Sequence, residues 1–261
     1  MRILFIGDVV GKPGRQAVTA MLPELRMQYS PDMIIANGEN AAGGIGITRE
    51  TALDMFHSGV NIITLGNHAW SKRDVYSYLD SEPRIVRPAN YPPGAPGRGW
   101  TVYSTKKGEC VGIINLCGRV FMEALENPFR LIDRILESLV PETDIIFIDF
   151  HGEATSEKIA FAWHVDGRAG VVVGTHTHVQ TADERILPGG TAYITDVGMT
   201  GPMDSVIGVK KELIINRFLT QMPDKFEIAG GDCVLSAVVI DVDSSTGMAT
   251  NIERISREYY T

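Results

Sequence analysis

Five short apolar runs, each followed at once by residues that can bind a metal ion, constrain the fold of this chain most strongly. The runs are rich in β-branched residues and end at glycine or polar residues, a pattern typical of short buried strands. In an open α/β sheet, ligands collect at the carboxyl ends of the strands, because the loops there converge on one crevice. Five endings of compatible chemistry therefore predict a site for two metal ions. The endings are Ile6-Gly7-Asp8, Asn37-Gly38-Glu39-Asn40, Gly66-Asn67-His68, Phe150-His151-Gly152-Glu153 and Gly174-Thr175-His176-Thr177-His178.

The rest of the chain alternates strands with helices. Helical spacing of apolar residues predicts the helices, and apolar runs around Gly-containing turns predict hairpins. Alternating βα units with added hairpins favour an α/β fold in which two sheets pack face to face with helices outside. The predicted helices cover residues 15–29, 48–57, 73–79, 127–139, 156–164 and 210–219, with a hairpin over 100–116, a turn between strands over 187–191 and a strand over 233–242.

The composition is that of an ordinary globular protein, with 44% hydrophobic and 21% charged residues. We expect one domain over residues 1–261, because this length accommodates a substantial core. The formal net charge of −8 disfavours a duplex nucleic acid partner, which needs many Lys and Arg side chains on one face. Cys110, Cys117 and Cys233 lie far apart in apolar surroundings, so we expect buried reduced thiols and neither a disulfide nor a thiolate metal site.

The amino terminus does not have the pattern of a secretory signal, because Asp8 interrupts the first apolar run and no small-residue cleavage site follows. No uninterrupted apolar stretch approaches the ~18 residues of a membrane span. We therefore expect a cytoplasmic protein without a membrane partner.

Histidine is concentrated in the candidate site, which contains four of the six histidines of the chain. His176 and His178 are two residues apart, so in an extended segment they point to the same face, roughly 6.5 to 7 Å apart along the chain. Two imidazoles in this arrangement can serve neighbouring ions, and His151 also follows a predicted strand. The alternative is a set of hydrogen-bonded loop histidines without a metal.

Asp8 and Glu39 supply the carboxylates of the candidate site, and Glu39 lies where a carboxylate could bridge two cations. Asn40 and Asn67 offer neutral carbonyl oxygens, although asparagines also form turns at such positions. Mixed carboxylate, amide and imidazole ligands suit iron, manganese or zinc better than copper, magnesium or calcium. Two ions of this kind can generate hydroxide near neutral pH and stabilise the attacking and leaving oxygens of a phosphate ester.

His68 is the candidate proton donor for the leaving oxygen, because it stands beside Asn67 without an evident ligand partner of its own. The alternative role for His68 is a further metal ligand. Arg119 is a candidate for a phosphate contact, and the alternative for Arg119 is a structural salt bridge.

The ordered motifs resemble those of calcineurin-like metallophosphoesterases, specifically the YmdB-type bacterial branch. The resemblance covers nearly the whole chain, and the stretches 115–122 and 195–201 make the branch assignment specific. It implies a four-layer αββα sandwich of two mixed sheets and a dinuclear, iron-containing site, with manganese or zinc as alternatives. Carried over by position, one ion would be held by Asp8, Glu39, Asn40 and His178, and the other by Glu39, Asn67, His151 and His176, with His68 as the proton donor.

The chain departs from the wider superfamily at two positions. Val10 stands where the first motif usually has histidine, and Glu39 stands where the second motif usually has a bridging aspartate. Both departures fit the YmdB-type branch, whose members resemble phosphodiesterases acting on 2′,3′- or 3′,5′-cyclic nucleotides. The resemblance thus implies a small-molecule phosphodiester substrate. It is also compatible with a homo-oligomer.

Two other functions stay open at this stage. One is a metal-dependent phosphomonoesterase such as a nucleotidase, since the same metals would activate the same hydroxide. The other is a metal-stabilised regulatory protein that binds a nucleotide or RNA. Such a protein would not need His68 as a proton donor.

Overall fold

The computed structural model describes residues 1–139, 142–223 and 225–261. The strands are β1 (Arg2–Ile6), β2 (Asp8–Val9), β3 (Met33–Asn37), β4 (Ile62–Thr64), β5 (Ile85–Val86), β6 (Trp100–Ser104), β7 (Cys110–Cys117), β8 (Ile145–His151), β9 (Val171–Thr175), β10 (Arg185–Ile186), β11 (Ala192–Ile194), β12 (Met199–Pro202), β13 (Cys233–Val242) and β14 (Ala249–Tyr259). The helices are α1 (Gly11–Tyr29), α2 (Arg49–Ser58), α3 (Tyr76–Ser81), α4 (Pro128–Leu139), α5 (Thr155–Val165) and α6 (Lys211–Thr220), and a 3₁₀ turn, Arg73–Val75, precedes α3.

Both sheets are mixed. In the first sheet, β1, β3, β4 and β5 are parallel neighbours, and β13 joins them antiparallel to β1. β12 and β14 pair antiparallel with β13, and β2 pairs parallel with β12. In the second sheet, β7, β8, β9 and β11 are parallel, with β6 and β10 antiparallel at the two edges. The parallel strands of each sheet therefore end at one edge.

The two sheets pack against each other and are covered by helices on their outer faces. Alternate residues of β1 face opposite sides, so Phe5 meets Phe147 of the other sheet with ring centroids 5.3 Å apart. Leu4 faces the layer of α1, α2 and α3, where Leu22 is buried. On the far side, α4 and α5 cover the second sheet with residues such as Phe161. The predicted α/β fold, a four-layer αββα sandwich, is confirmed.

The predicted elements have their counterparts in the structure, with differences at two helices: the helix predicted over 73–79 begins as a 3₁₀ turn and ends at Ser81, and α1 begins earlier than expected. Helix α1 begins at Gly11, whereas the sequence pattern placed its start at Arg15. Pro13 lies in the first turn of this helix, where proline is tolerated because the first-turn amides have no partner within the helix. Helix α2 follows its prediction closely, since Thr48 and Thr51 form a capping box and Gly59 closes it in a left-handed conformation.

The three thiols are free, as expected, but only Cys117 and Cys233 are buried. The prediction was wrong for Cys110, which is partly exposed because it lies at the hairpin end of β7 opposite Ser104. Among the described helices, none combines the length and the apolar character that crossing a membrane requires.

Candidate active site

The carboxyl ends of five parallel strands meet at one edge of the sandwich, and the predicted site residues follow these ends. Three of the strands, β1, β3 and β4, belong to the first sheet, and two, β8 and β9, belong to the second. The resulting cavity, of about 310 Å³, is lined by polar and apolar side chains. The polar residues of its lining are Glu39, Asn40, His68, Glu153, His176, Thr177 and His178, and the apolar ones include Val10, Ile207, Val209 and Ile228.

The Nε2 atom of His151 is the point on which one group of side chains converges. It lies 3.0 Å from Oδ1 of Asn67 and 3.1 Å from Oε1 of Glu39. It also lies 3.0 Å from Nδ1 of His176. All four are atoms that carry lone pairs, so their mutual approach is unfavourable unless a proton or a cation lies among them. This group fits a metal ion.

A second group lies around Asp8, which is fully buried. Oδ1 of Asp8 has no hydrogen-bond partner among the described residues, and it lies 3.9 Å from Nε2 of His178. His178 donates its Nδ1 proton to the carbonyl of Ile207 at 3.0 Å, which leaves a lone pair on Nε2. Oδ1 of Asn40 is likewise buried without a partner within the described ranges. Buried acceptors without donors are costly, so this group also fits a cation.

The structure thus brings together all eight residues that the sequence singled out. The carboxylate of Glu39 contacts His151 of the first group and also His68. Nδ1 of His68 lies 3.2 Å from Glu39 Oε1 and 3.3 Å from Nδ2 of Asn40. The His68 side chain is 31% exposed, so it faces the open part of the cavity.

Charges within the site are strongly perturbed by burial and by one another. Burial raises the pKa of the Asp8 carboxyl to about 6, and nearby histidines oppose the rise only in part. Burial alone would raise the pKa of Glu39, but the adjacent His151 holds it well below its usual range. Burial alone would lower the pKa of His151, yet Glu39 and Asp8 raise it to about 9. Burial, and then the positive charge of His151, lower the pKa of His176 to about 3. The site therefore favours one positive charge among its carboxylates.

A chain of hydrogen bonds behind His151 fixes its orientation. The Thr175 hydroxyl donates to Oδ1 of Asp149 at 2.7 Å, so its oxygen accepts the Nδ1 proton of His151 at 2.8 Å. Because Nδ1 is committed as the donor, the lone pair of the neutral His151 ring lies on Nε2, which is the atom that faces the site. The buried Asp149 also accepts from the side-chain amide of Asn37 at 3.0 Å.

A buried ion pair holds the loop that carries His176 and His178. Lys158 donates from Nζ to Oδ2 of Asp196 and to the carbonyl of Thr175, both at 2.8 Å. Asp196 also accepts from the Thr177 amide at 3.0 Å. The two histidines have positive φ angles, 104° and 67°, which side chains with a Cβ rarely adopt. The ion pair therefore supports a strained loop.

The sequence reasoning missed the roles of Asp149, Lys158 and Asp196. Asp196 lay within the stretch 195–201 that made the branch assignment specific, so a signal for it existed. Lys158 gave no signal, because a lysine in an amphipathic helix normally lies on the solvent face. Arg119 does not form the salt bridge considered as its alternative role, since within the described residues its guanidinium has no ion-pair partner.

Comparisons with known proteins give the family. A model of the family described as YmdB-like protein matches residues 4–255. The chain is 53% identical to the 2′,3′-cyclic-nucleotide 2′-phosphodiesterase of Bacillus subtilis strain 168, over 98% of this chain and 96% of that protein. The crystal structure of a hypothetical protein from Thermus thermophilus has a TM-score of 0.92 at 45% identity and covers 99% of both chains.

A second solved structure, described as a novel phosphatase from Mycoplasma pneumoniae, has a TM-score of 0.93 at 35% identity and covers 99% of this chain and 93% of its own. At the level of class, these names confirm the prediction of an enzyme that acts on phosphate esters. With the family model matching nearly every residue and relatives of this similarity spanning the chain, the protein belongs to the YmdB-like family.

Proposed function

We propose that this enzyme is a metal-dependent phosphodiesterase that opens 2′,3′-cyclic nucleotides at the 2′ ester. The observation that carries the proposal is the convergence of Glu39, Asn67 and His176 on Nε2 of His151, at 3.0 to 3.1 Å. This set matches the ligands proposed from the sequence for one of two ions. The substrate class is suggested by the name of the B. subtilis relative, whose similarity extends over 98% of the chain.

The donor atoms support two adjacent ions. One would be held by Glu39, Asn67, His151 and His176, and the other by Asp8, Glu39, Asn40 and His178. The unpartnered oxygens of Asp8 and Asn40 support the second set. Iron, with manganese or zinc as alternatives, stays the prediction from this mixture of oxygen and nitrogen ligands. When bound, such ions lower the pKa of water and stabilise negative charge on phosphate oxygens.

The chain's own residues then orient the substrate and supply a proton. The Nδ1–H of His68 donates to Oε1 of Glu39 at 3.2 Å, which leaves Nε2 for the substrate. As water adds to phosphorus and the bond to the 2′ oxygen breaks, that oxygen takes the proton from His68. The product is a nucleoside 3′-monophosphate with a free 2′ hydroxyl. Val10, Ile207 and Ile228 give the cavity an apolar wall.

The test is an assay of purified protein, loaded with Mn²⁺ or Fe²⁺, against 2′,3′-cyclic AMP, 3′,5′-cyclic AMP and adenosine monophosphates. We expect about two ions per chain, turnover of the 2′,3′-cyclic substrate and adenosine 3′-monophosphate as the product. Preferential release of inorganic phosphate from the monophosphates would instead support the phosphomonoesterase alternative. A metal-loaded protein that turns over none of these substrates would contradict the proposal and leave the regulatory alternative.

The variant His68→Ala tests the proton donor. We expect kcat to fall by about 100-fold or more, because general acid catalysis contributes at least this much, while metal content stays at the wild-type level. The matched control is His57→Ala, since His57 lies on α2 away from the lining of the cavity and should leave kcat unchanged. Equal activity of the two variants would remove His68 from the mechanism.

A further inference from the structure

The segment between β7 and α4 begins beside the site, yet the proposed chemistry does not use it. We call the first part of this segment, residues 118–123, the Phe121 loop. Cys117, the last residue of β7, lies opposite His151 in the parallel pairing with β8. The amide of Gly118 donates to the carbonyl of His151 at 2.9 Å. Phe121 is three residues farther along, so it lies at most about 11 Å from Gly118.

The Phe121 loop is held on both sides. On one side, the Glu157 carboxylate accepts hydrogen bonds from the amides of Arg119 and Val120 at 3.0 and 3.1 Å. On the other side, Glu123 lies close enough to Tyr91 that, after burial, its carboxylate contributes to raising the pKa of the Tyr91 hydroxyl. A loop fixed in this way has a defined conformation before any ligand binds.

The contact through Tyr91 places the loop between the two sides of the site. The Tyr91 ring packs edge-on against Trp70, with centroids 4.4 Å apart. Trp70 follows His68 by two residues. The Phe121 loop therefore extends from the side of His151 towards the side of the proposed proton donor.

The tip of this fixed loop presents an aromatic ring to solvent. Phe121 is 89% exposed, and its φ angle of 61° is one that residues with a Cβ rarely adopt. An exposed apolar ring on a disfavoured backbone contributes nothing to the core, so its placement calls for a ligand. The exposed Arg119 in the same loop has no ion-pair partner among the described residues, and its positive charge suits an anionic ligand.

We propose that Phe121 is the surface on which the nucleobase of the substrate stacks, an inference that rests on the proposed function. A nucleotide whose phosphate lies in the cavity must direct its base outward, and the exposed Phe121 ring, on a loop that begins at the His151 carbonyl, offers it a flat apolar face. Stacking on a single ring accepts any base, because every base has a π face, and purines gain more contact than pyrimidines.

The test compares a substrate that has a base with one that lacks it. We expect Phe121→Ala to raise the KM for 2′,3′-cyclic AMP about tenfold while kcat stays unchanged. The same variant should leave kcat and KM unchanged for methyl riboside 2,3-cyclic phosphate, which keeps the reacting group. Phe121→Tyr should restore the low KM, because it restores an aromatic face. A KM that shifts equally for both substrates, or for neither, would overturn the proposal.

Two controls separate stacking from damage to the fold. Phe121→Gly suits the left-handed backbone, so it should keep the melting temperature of the wild type while showing the same loss of affinity as Phe121→Ala. Trp163→Ala removes a half-exposed aromatic ring from the distal part of α5 and should change neither KM.

A binding experiment keeps the inference distinct from the proposed function. The wild type should quench the fluorescence of 2-aminopurine riboside 3′-monophosphate on binding, even if no substrate is hydrolysed. The dissociation constant from the same titration should be about tenfold higher for Phe121→Ala. Equal quenching by both proteins would overturn the stacking role. A second result would also overturn it: light scattering shows that Phe121→Ala changes the oligomeric state, while its affinity for the nucleotide is unchanged. The ring would then contact a second copy of the chain.

Discussion

Replacing Lys158 by methionine tests the buried support of the site most directly. Lys158 is 1% exposed and its partner Asp196 is fully buried, with 2.8 Å between Nζ and Oδ2. Methionine keeps much of the side-chain volume but leaves the Asp196 carboxylate without its counter-charge. Removing one partner of a buried pair costs about 3–5 kcal/mol, because the remaining charge stays out of water. Since a domain is stable by only about 5–15 kcal/mol, this loss is large.

The measurement is the free energy of unfolding in urea, made on chelator-treated protein because a bound metal would add its own stability. The double variant Lys158→Met with Asp196→Asn removes both charges and should recover part of the loss. The matched control is Lys210→Met, which breaks an exposed pair with Glu227 and should cost far less stability, because both charges stay in water. If Lys158→Met lost no more stability than Lys210→Met, the reasoning about the buried pair would be refuted.

Two further predictions concern the assembly of the metal site. In the metal-free protein the pKa of His151 is raised to about 9, so below that pH a metal ion must displace a proton. We therefore expect the affinity for Mn²⁺, measured by calorimetry, to rise with pH and to level off above about 9. An affinity that does not change with pH would contradict the role of His151 as a ligand. In Gly66→Ala, a Cβ would lie 2.2 Å from Glu39 Oε2 and 2.4 Å from His151 Nε2, so metal content should fall well below that of the wild type. Gly230→Ala, whose Cβ would meet nothing within 4 Å, is its control, and equal metal content in the two variants would show that the ligands tolerate displacement.

Much of the fold could be predicted because buried strands of a parallel sheet are short, continuous apolar runs with sharp ends. The strands β2, β5 and β12 could not be predicted, since two to four residues carry no periodicity. Their pairing is decided by tertiary contact, as when Asp8 of β2 lies opposite Met199 of β12. Expectations of a single domain, a cytoplasmic location and a homo-oligomer stay predictions.

The candidate site divides in the same way. The ligands at the strand ends could be predicted from the sequence, because the carboxyl ends of parallel strands lie at the same edge of a sheet for any conformation of the loops. The residues that orient those ligands could not be predicted, because their burial depends on partners remote in sequence. Lys158 is buried by an aspartate that lies 38 residues away. Asp149 acts through Thr175, which lies 26 residues farther along.

Charge explains how an acidic chain could hold an anionic substrate. Of the buried carboxylates at the site, Asp196 is neutralised by Lys158, and Asp149 is satisfied by hydrogen bonds from Thr175 and other donors. Asp8 and Glu39 remain, and in the metal-free protein they hold a proton on His151. Two divalent ions would bring four positive charges against these two carboxylates, so the pocket would become net positive although the chain carries −8. The local field that a phosphate meets would then be set by the proposed ions, and the acidic surface would not prevent binding.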